Sequence, residues 1–85
     1  MEKIIMGIRI DRRHNAVPDV QSLLTEYGCY IKTRIGLHEA SDDRDECSDQ
    51  GLILLEFIDN AADEADELFG QLEEIGGVTA QMMSF

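Results

Sequence analysis

The sequence predicts an α+β domain in which one four-stranded antiparallel sheet carries both of its helices on one face. Segments with strand periodicity alternate with two segments of helical periodicity, and glycines or polar residues separate them. The predicted order is strand, helix, strand, strand, helix, strand. Two βαβ halves in this order form a split unit whose strands share one sheet. We expect residues 1–85 to form one domain of this kind.

The first half of the chain supplies two strands and a helix. KIIMGIRI (3–10) is rich in isoleucine, which favours a strand. A helix is predicted over 15–28, because Pro18 falls in its first turn and Gly28 ends it. CYIKTRIGL (29–37) alternates, which predicts a strand with one buried face. That face is expected to consist of Cys29, Ile31, Thr33, Ile35 and Leu37.

The second half supplies a strand, a helix and a final strand. GLILLEFI (51–58) is apolar at almost every position, and we predict that it forms a strand. AADEADELFGQLEEI (61–75) has the clearest helical stripe, and Gly76 and Gly77 follow it as a stop signal. VTAQMMSF (78–85) is predicted to be the last strand. The expected N-caps are Asn15 for the first helix and Asp59 or Asn60 for the second.

The charge distribution excludes several classes of partner. The net charge is −11, and residues 45–85 hold eleven acids and no base, whereas residues 1–44 hold seven of each. Nucleic acids and anionic membranes repel such a chain, so neither is expected as a direct partner. The start of the chain lacks a cleavable signal, and its longest uncharged run is too short to span a bilayer. We therefore expect an acidic, cytoplasmic protein.

The sheet face away from the helices is expected to be apolar and to form an interface. Contiguous exposed apolar surface usually marks a binding site, and a two-fold pairing of sheets would cover it. The expected partner is a second copy of the chain, in a dimer or tetramer. Lys32 and Arg34 either pair with Glu56 or extend into water. The expected interface residues are Ile5, Tyr30, Lys32, Arg34, Leu52, Leu54 and Met83.

Three segments carry a resemblance to a known family. EYGCYIKTRIG (26–36) resembles the pattern E-Y-G-x-Y-I-x-x-R-hydrophobic-G, MGIRIDRR (6–13) resembles the matching first strand, and LEEIGGV (72–78) resembles the entry to the last strand. Together they are similar to the iron-only hydrogenase system regulators, a family of small ACT-like proteins. Residues 38–50 depart from the family pattern. The resemblance depends mainly on Tyr27, Gly28, Tyr30, Ile31, Arg34 and Gly36.

The resemblance implies a ferredoxin-like, ACT-like fold and a regulatory role without enzymatic activity. It also implies similarity to the ligand-binding domain of nickel-responsive regulators, and an oligomer that responds to a small molecule or a metal. ACT domains commonly hold ligands near the loop after the first strand. Two guanidiniums beside a helix N-terminus there suit a carboxylate or phosphate, although an ordinary polar connector is the alternative. The loop consists of Asp11, Arg12, Arg13, His14 and Asn15.

The acidic segment GLHEASDDRDECSDQG (36–51) is the candidate for a metal site. His38 and Cys47 lie nine residues apart and offer nitrogen and sulfur ligands to nickel or zinc, but they are half a site, which a symmetric oligomer would have to complete. A calcium loop is disfavoured, because Ser48 occupies the glycine position and Leu54 the position of the bidentate Glu. The main alternative is a solvated acidic hairpin.

The sequence lacks the common catalytic motifs. We find no G-x-S-x-G, no Walker loop, no G-x-G-x-x-G and no H-E-x-x-H. The expected function is therefore a homo-oligomeric module that senses a small ligand, with its cofactor left open. The alternatives are a metal sensor built on His38 and Cys47 and a module that only oligomerises. Any role in transcription is expected to need a partner protein.

Overall fold

The computed structural model describes residues 3–11, 15–38 and 50–85, and every structural statement below concerns these residues. A 3-10 turn, Gly28–Tyr30, precedes the second strand. The predicted order of strands and helices is confirmed. The elements are β1 (Ile4–Asp11), α1 (Val17–Glu26), β2 (Ile31–His38), β3 (Gln50–Phe57), α2 (Ala62–Glu73) and β4 (Val78–Ser84).

The four strands form one antiparallel sheet in the order β2-β3-β1-β4. β1 lies near the middle, where Ile8 is opposite Ile53 of β3 on one side and Ala80 of β4 on the other. β1 and β2 are both antiparallel to β3 and therefore run in the same direction. Their carboxyl ends consequently lie at the same end of the sheet.

One hydrophobic core fills the space between the sheet and the two helices. Alternate residues of β1 are buried, as expected for a strand with one covered face. The helices contribute the apolar stripes that the sequence predicts, and leucines of α2 lie deepest. The buried side chains include Met6, Ile8, Val20, Leu24, Leu55, Phe57, Ala65, Leu68, Leu72 and Ala80.

The starts of the two helices differ from the prediction. Asn15 and Asn60 do not cap them, because each lies one residue before an alanine, Ala16 or Ala61, that occupies the N-cap position without a side-chain hydrogen bond. Both asparagines have positive φ, 54° and 67°. Asparagine tolerates this left-handed conformation better than most residues, so the residues favour a sharp entry into each helix rather than a cap.

A β-bulge in β2 changes which of its residues face the helices. Ile31 lies opposite Phe57, but Thr33 lies opposite the next residue of β3, Glu56, so Lys32 is one residue in excess. From Thr33 onward the alternation is therefore reversed. Ile35, expected in the core, is opposite Leu54 instead. The predicted buried face is correct only at its beginning, and Cys29 is exposed in the 3-10 turn rather than buried.

Candidate functional site

The sheet face away from the helices, here called the open face, carries a cluster of exposed apolar side chains. Met83 is 57% exposed, Ile35 48%, Leu37 47% and Leu52 38%. Ile5 and Leu54 lie between them and are half-buried. On β2 and β3, Ile35 is opposite Leu54 and Leu37 is opposite Leu52. On β1 and β4, Ile5 is opposite Met83, while Gly7 and Arg9 of β1 are opposite Leu54 and Leu52. Solvent therefore covers a surface that has the composition of an interface.

Two residues predicted for this face lie elsewhere. Arg34 is opposite Leu55, a core residue, and its Nη2 donates a hydrogen bond to Oε1 of Gln21 on α1, so it faces the helices. The bulge explains this difference. Tyr30 precedes β2 in the 3-10 turn, where its ring lies 6.5 Å from that of Tyr27. The role of the remaining predicted residues in an interface stays a prediction.

A polar cluster interrupts the open face at one end. Lys3 Nζ donates to Glu56 Oε2 at 2.6 Å, and Thr33 Oγ1 donates to Glu56 Oε1 at 3.0 Å. Hydrogen bonds from Lys3 and Thr33, together with the charges of Lys3 and Lys32, lower the pKa of Glu56. The hydrogen bond to Glu56 raises the pKa of Lys3. The sequence suggested Lys32 or Arg34 as the ion-pair partner of Glu56. The partner is Lys3, which lies far from Glu56 in the chain.

The two predicted ligand segments begin at the same end of the sheet. Asp11 ends β1 and His38 ends β2, and they are opposite Gln50 and Gly51 of the intervening strand. Two strand spacings separate their backbones by roughly 10 Å. Residues 12–14 of the predicted binding loop, and Cys47 of the predicted metal pair, lie outside the described residues. Both sites therefore stay predictions.

Metal-binding geometry is not found in the described part of the chain. Within residues 3–11, 15–37 and 51–85, no group of three His, Cys, Asp or Glu side chains converges on a common point. Residues 39–49, which include Cys47, lie outside the described residues. The same ranges contain no helix that is long and apolar enough to cross a membrane.

A groove on the helix side of the sheet is the second candidate site, and sequence analysis did not predict it. It lies between α1 and β2 and has a volume of about 280 Å³. We call it the α1–β2 groove. Gly36 was its sequence signal, because a glycine inside a strand often marks a place where a ligand or another backbone approaches. The groove is lined by Ile10, Val17, Gln21, Arg34, Gly36, Leu37, Gly51, Leu52 and Ile53.

The strand order and the placement of both helices on one face define a ferredoxin-like fold of the ACT and PII-like type. Among solved structures, TM1266 from Thermotoga maritima, an uncharacterised protein, is similar over 100% of this chain and 99% of its own, with 26% identity and a TM-score of 0.77. No protein-family model and no curated protein matches the chain.

Two further solved structures share the fold at lower identity. The ACT domain of GTP pyrophosphokinase from Chlorobium tepidum is 17% identical over 95% of this chain and 96% of its own, with a TM-score of 0.65. CPII from Thiomonas intermedia K12, a nitrogen regulatory PII-like protein solved with ADP, AMP and bicarbonate, is 12% identical. It covers 100% of this chain and 91% of its own, with a TM-score of 0.63. At these identities the likeness concerns the fold alone.

Proposed function

We propose that this chain is a homo-oligomeric regulatory module, not an enzyme, which assembles through its open face and senses a small ligand. The observation that carries the proposal is the exposure of Ile35, Leu37, Leu52 and Met83 on the open face of the sheet. A second copy of the chain is the occupant that best fits this surface, because a two-fold pairing places the same apolar patch on both sides.

The size of the open face is compatible with a dimer. Four strands at about 4.8 Å spacing and about 25 Å length give a face of roughly 480 Å². Two such faces bury roughly 1,000 Å², which is near the lower limit for a specific interface. We therefore expect an association that depends on protein concentration, with Lys3 and Glu56 at its polar margin.

Ligand sensing is supported by the fold and by the sequence resemblance. CPII, which has this fold, was solved with ADP, AMP and bicarbonate, and the ACT domain of the same fold belongs to a GTP pyrophosphokinase. The resemblance of residues 26–36 to iron-only hydrogenase system regulators supports a role in controlling such a system. With a net charge of −11, that control would act through a partner protein rather than by direct contact with DNA.

The assembly is tested by sedimentation velocity over a range of protein concentrations. Wild type is expected to sediment as a dimer or tetramer that dissociates on dilution. Ile35→Lys places a charge in the exposed apolar cluster of the open face and is expected to give a folded monomer. Ser22→Lys is the matched control, since it adds the same charge at an exposed position on α1 and is expected to assemble like wild type. A wild-type protein that is monomeric at every concentration would contradict the assembly.

Sensing is tested by thermal unfolding with ADP, AMP, bicarbonate and a panel of small organic acids. A ligand that binds the folded state raises Tm by mass action. A module that only oligomerises would show no shift with any of these compounds. That result, with assembly intact, would reject sensing of these compounds and leave the structural alternative.

A further inference from the structure

Two glycines are among the sheet residues that line the α1–β2 groove. Gly36 and Gly51 lie on the adjacent strands β2 and β3 at positions that face the helices, where Gly36 is opposite Ile53 and Gly51 is opposite His38. A methyl group placed on Gly36 would have no neighbouring heavy atom within 4 Å. α1 supplies one wall through Val17 and Gln21. The open space at Gly36 therefore contributes to the volume of the groove.

Among the described residues that line the groove, Arg34 is the one that carries a positive charge. Its Nη2 donates to Oε1 of Gln21, which holds the guanidinium between β2 and α1. A guanidinium carries several N–H donors, and a single acceptor leaves others available. Among residues 3–11, 15–38 and 50–85, no carboxylate lies within salt-bridge distance of Arg34, whereas Lys3 is paired with Glu56. Gln21 fixes the position of the cation without neutralising it.

We propose that the α1–β2 groove binds a short aliphatic monocarboxylate, whose carboxylate accepts hydrogen bonds from Arg34 while its hydrocarbon part lies over Gly36. The inference rests on the proposed sensing function and names its ligand class and site. Ile10, Val17 and Ile53 supply the apolar contacts. Arg34 is well suited to a carboxylate because its planar fork matches the two carboxylate oxygens.

The lining discriminates against other anions. An amino acid would bring an ammonium group, and the described lining residues include no Asp or Glu to receive it. A phosphate would bring a second negative charge, and the same described residues include no second cation. The groove volume of about 280 Å³ equals roughly nine water volumes of about 30 Å³, so a branched acid of a few carbons fits.

The test is a titration of the full chain with 3-methylbutanoate, followed by ¹H–¹⁵N NMR. The expected shifts lie at the amides of Gln21, Gly36 and Ile53. The uncharged analogue 3-methylbutanamide is expected to bind at least about tenfold more weakly, because charge-assisted hydrogen bonds are markedly stronger than neutral ones.

Three variants assign the binding to the groove. Arg34→Gln is expected to weaken 3-methylbutanoate binding at least about tenfold. Lys32→Gln is the matched control, since it removes the same charge from the bulge and is expected to bind like wild type. Gly36→Val keeps Arg34 and fills the groove with a residue that favours strands, so it is expected to abolish binding without unfolding the chain.

Several results would overturn the inference. In the first, wild-type protein shows no amide shifts in the groove on titration with 3-methylbutanoate. In the second, Arg34→Gln binds 3-methylbutanoate as tightly as wild type. In the third, 3-methylbutanoate and 3-methylbutanamide bind equally well. Failure of the proposed function looks different. Shifts that map to another surface would leave sensing intact and reject this site, whereas groove binding by a wild-type monomer would support the site and reject the assembly.

Discussion

Truncation of Ile35 tests the most consequential feature of β2, which is the reversal of its two faces. Fully burying an isoleucine side chain contributes about 1.5–3 kcal/mol. Ile35 is 48% exposed, so Ile35→Ala should lower the free energy of unfolding by about 1 kcal/mol, with no cavity to add. Leu55 is 1% exposed in the core, so Leu55→Ala should cost about 2–5 kcal/mol.

The assay is urea unfolding of wild type and both variants at two protein concentrations. Leu55→Ala should lose the same stability at both, because its site belongs to the core of one chain. Ile35→Ala should show its small loss at the lower concentration. A larger loss should appear at the higher concentration, where a second copy covers the open face.

The reversed faces of β2 would be wrong if Ile35→Ala lowered the free energy of unfolding as much as Leu55→Ala at the lower concentration. Ile35 would then lie in the core, as simple alternation from Cys29 predicts, and the bulge would be absent from the protein in solution. A loss of about 1 kcal/mol that does not change with concentration would keep the bulge and count against assembly through this face.

Three further predictions concern local features of the fold. Gly77 has a φ of 84°, so Gly77→Ala should destabilise by about 1–2 kcal/mol in urea unfolding, while Gly76→Ala, which has open space around it, should be neutral or slightly stabilising. Lys3→Met should remove the stabilisation from the Lys3–Glu56 ion pair, which is present above pH 4.5. In wild type this stabilisation should be lost as pH falls through the lowered pKa of Glu56, and again as pH rises through the raised pKa of Lys3. Urea unfolding of both proteins across this pH range measures the difference. Burial raises the pKa of Tyr27 above 10.0, so Tyr27→Phe should remove the late part of the tyrosinate absorbance titration.

Periodicity was sufficient for the order of elements, because the helices and three of the strands bury one regular face each. β1, β3 and β4 keep a period of two throughout, and the expected positions of Ile5, Leu52, Leu54 and Met83 on the open face follow from it. The acidic face of α2 likewise left its apolar stripe unambiguous.

Features that depend on a single backbone torsion or on an extra residue could not be predicted. A bulge at Lys32 changes neither composition nor alternation, since apolar and polar residues alternate on both sides of it. Asparagine is common both at N-caps and in left-handed turns, so the identity of Asn15 and Asn60 could not decide between the two. The contact between Arg34 and Gln21 depends on both the bulge and the position of α1, neither of which the sequence predicts. Gly36 alone was not enough to predict the groove.

Both candidate surfaces depend on the parity of one strand. Because Lys32 is an additional residue, everything after it in β2 has exchanged sides: Ile35 and Leu37 have moved to the open face, and Arg34 has moved beneath α1. Deleting Lys32 would remove the bulge but leave residues 33–38 opposite the same partners in β3, so both assignments would persist. The apolar face and the cationic groove are nevertheless coupled, because regular pairing of β2 that included Lys32 would reverse both assignments together.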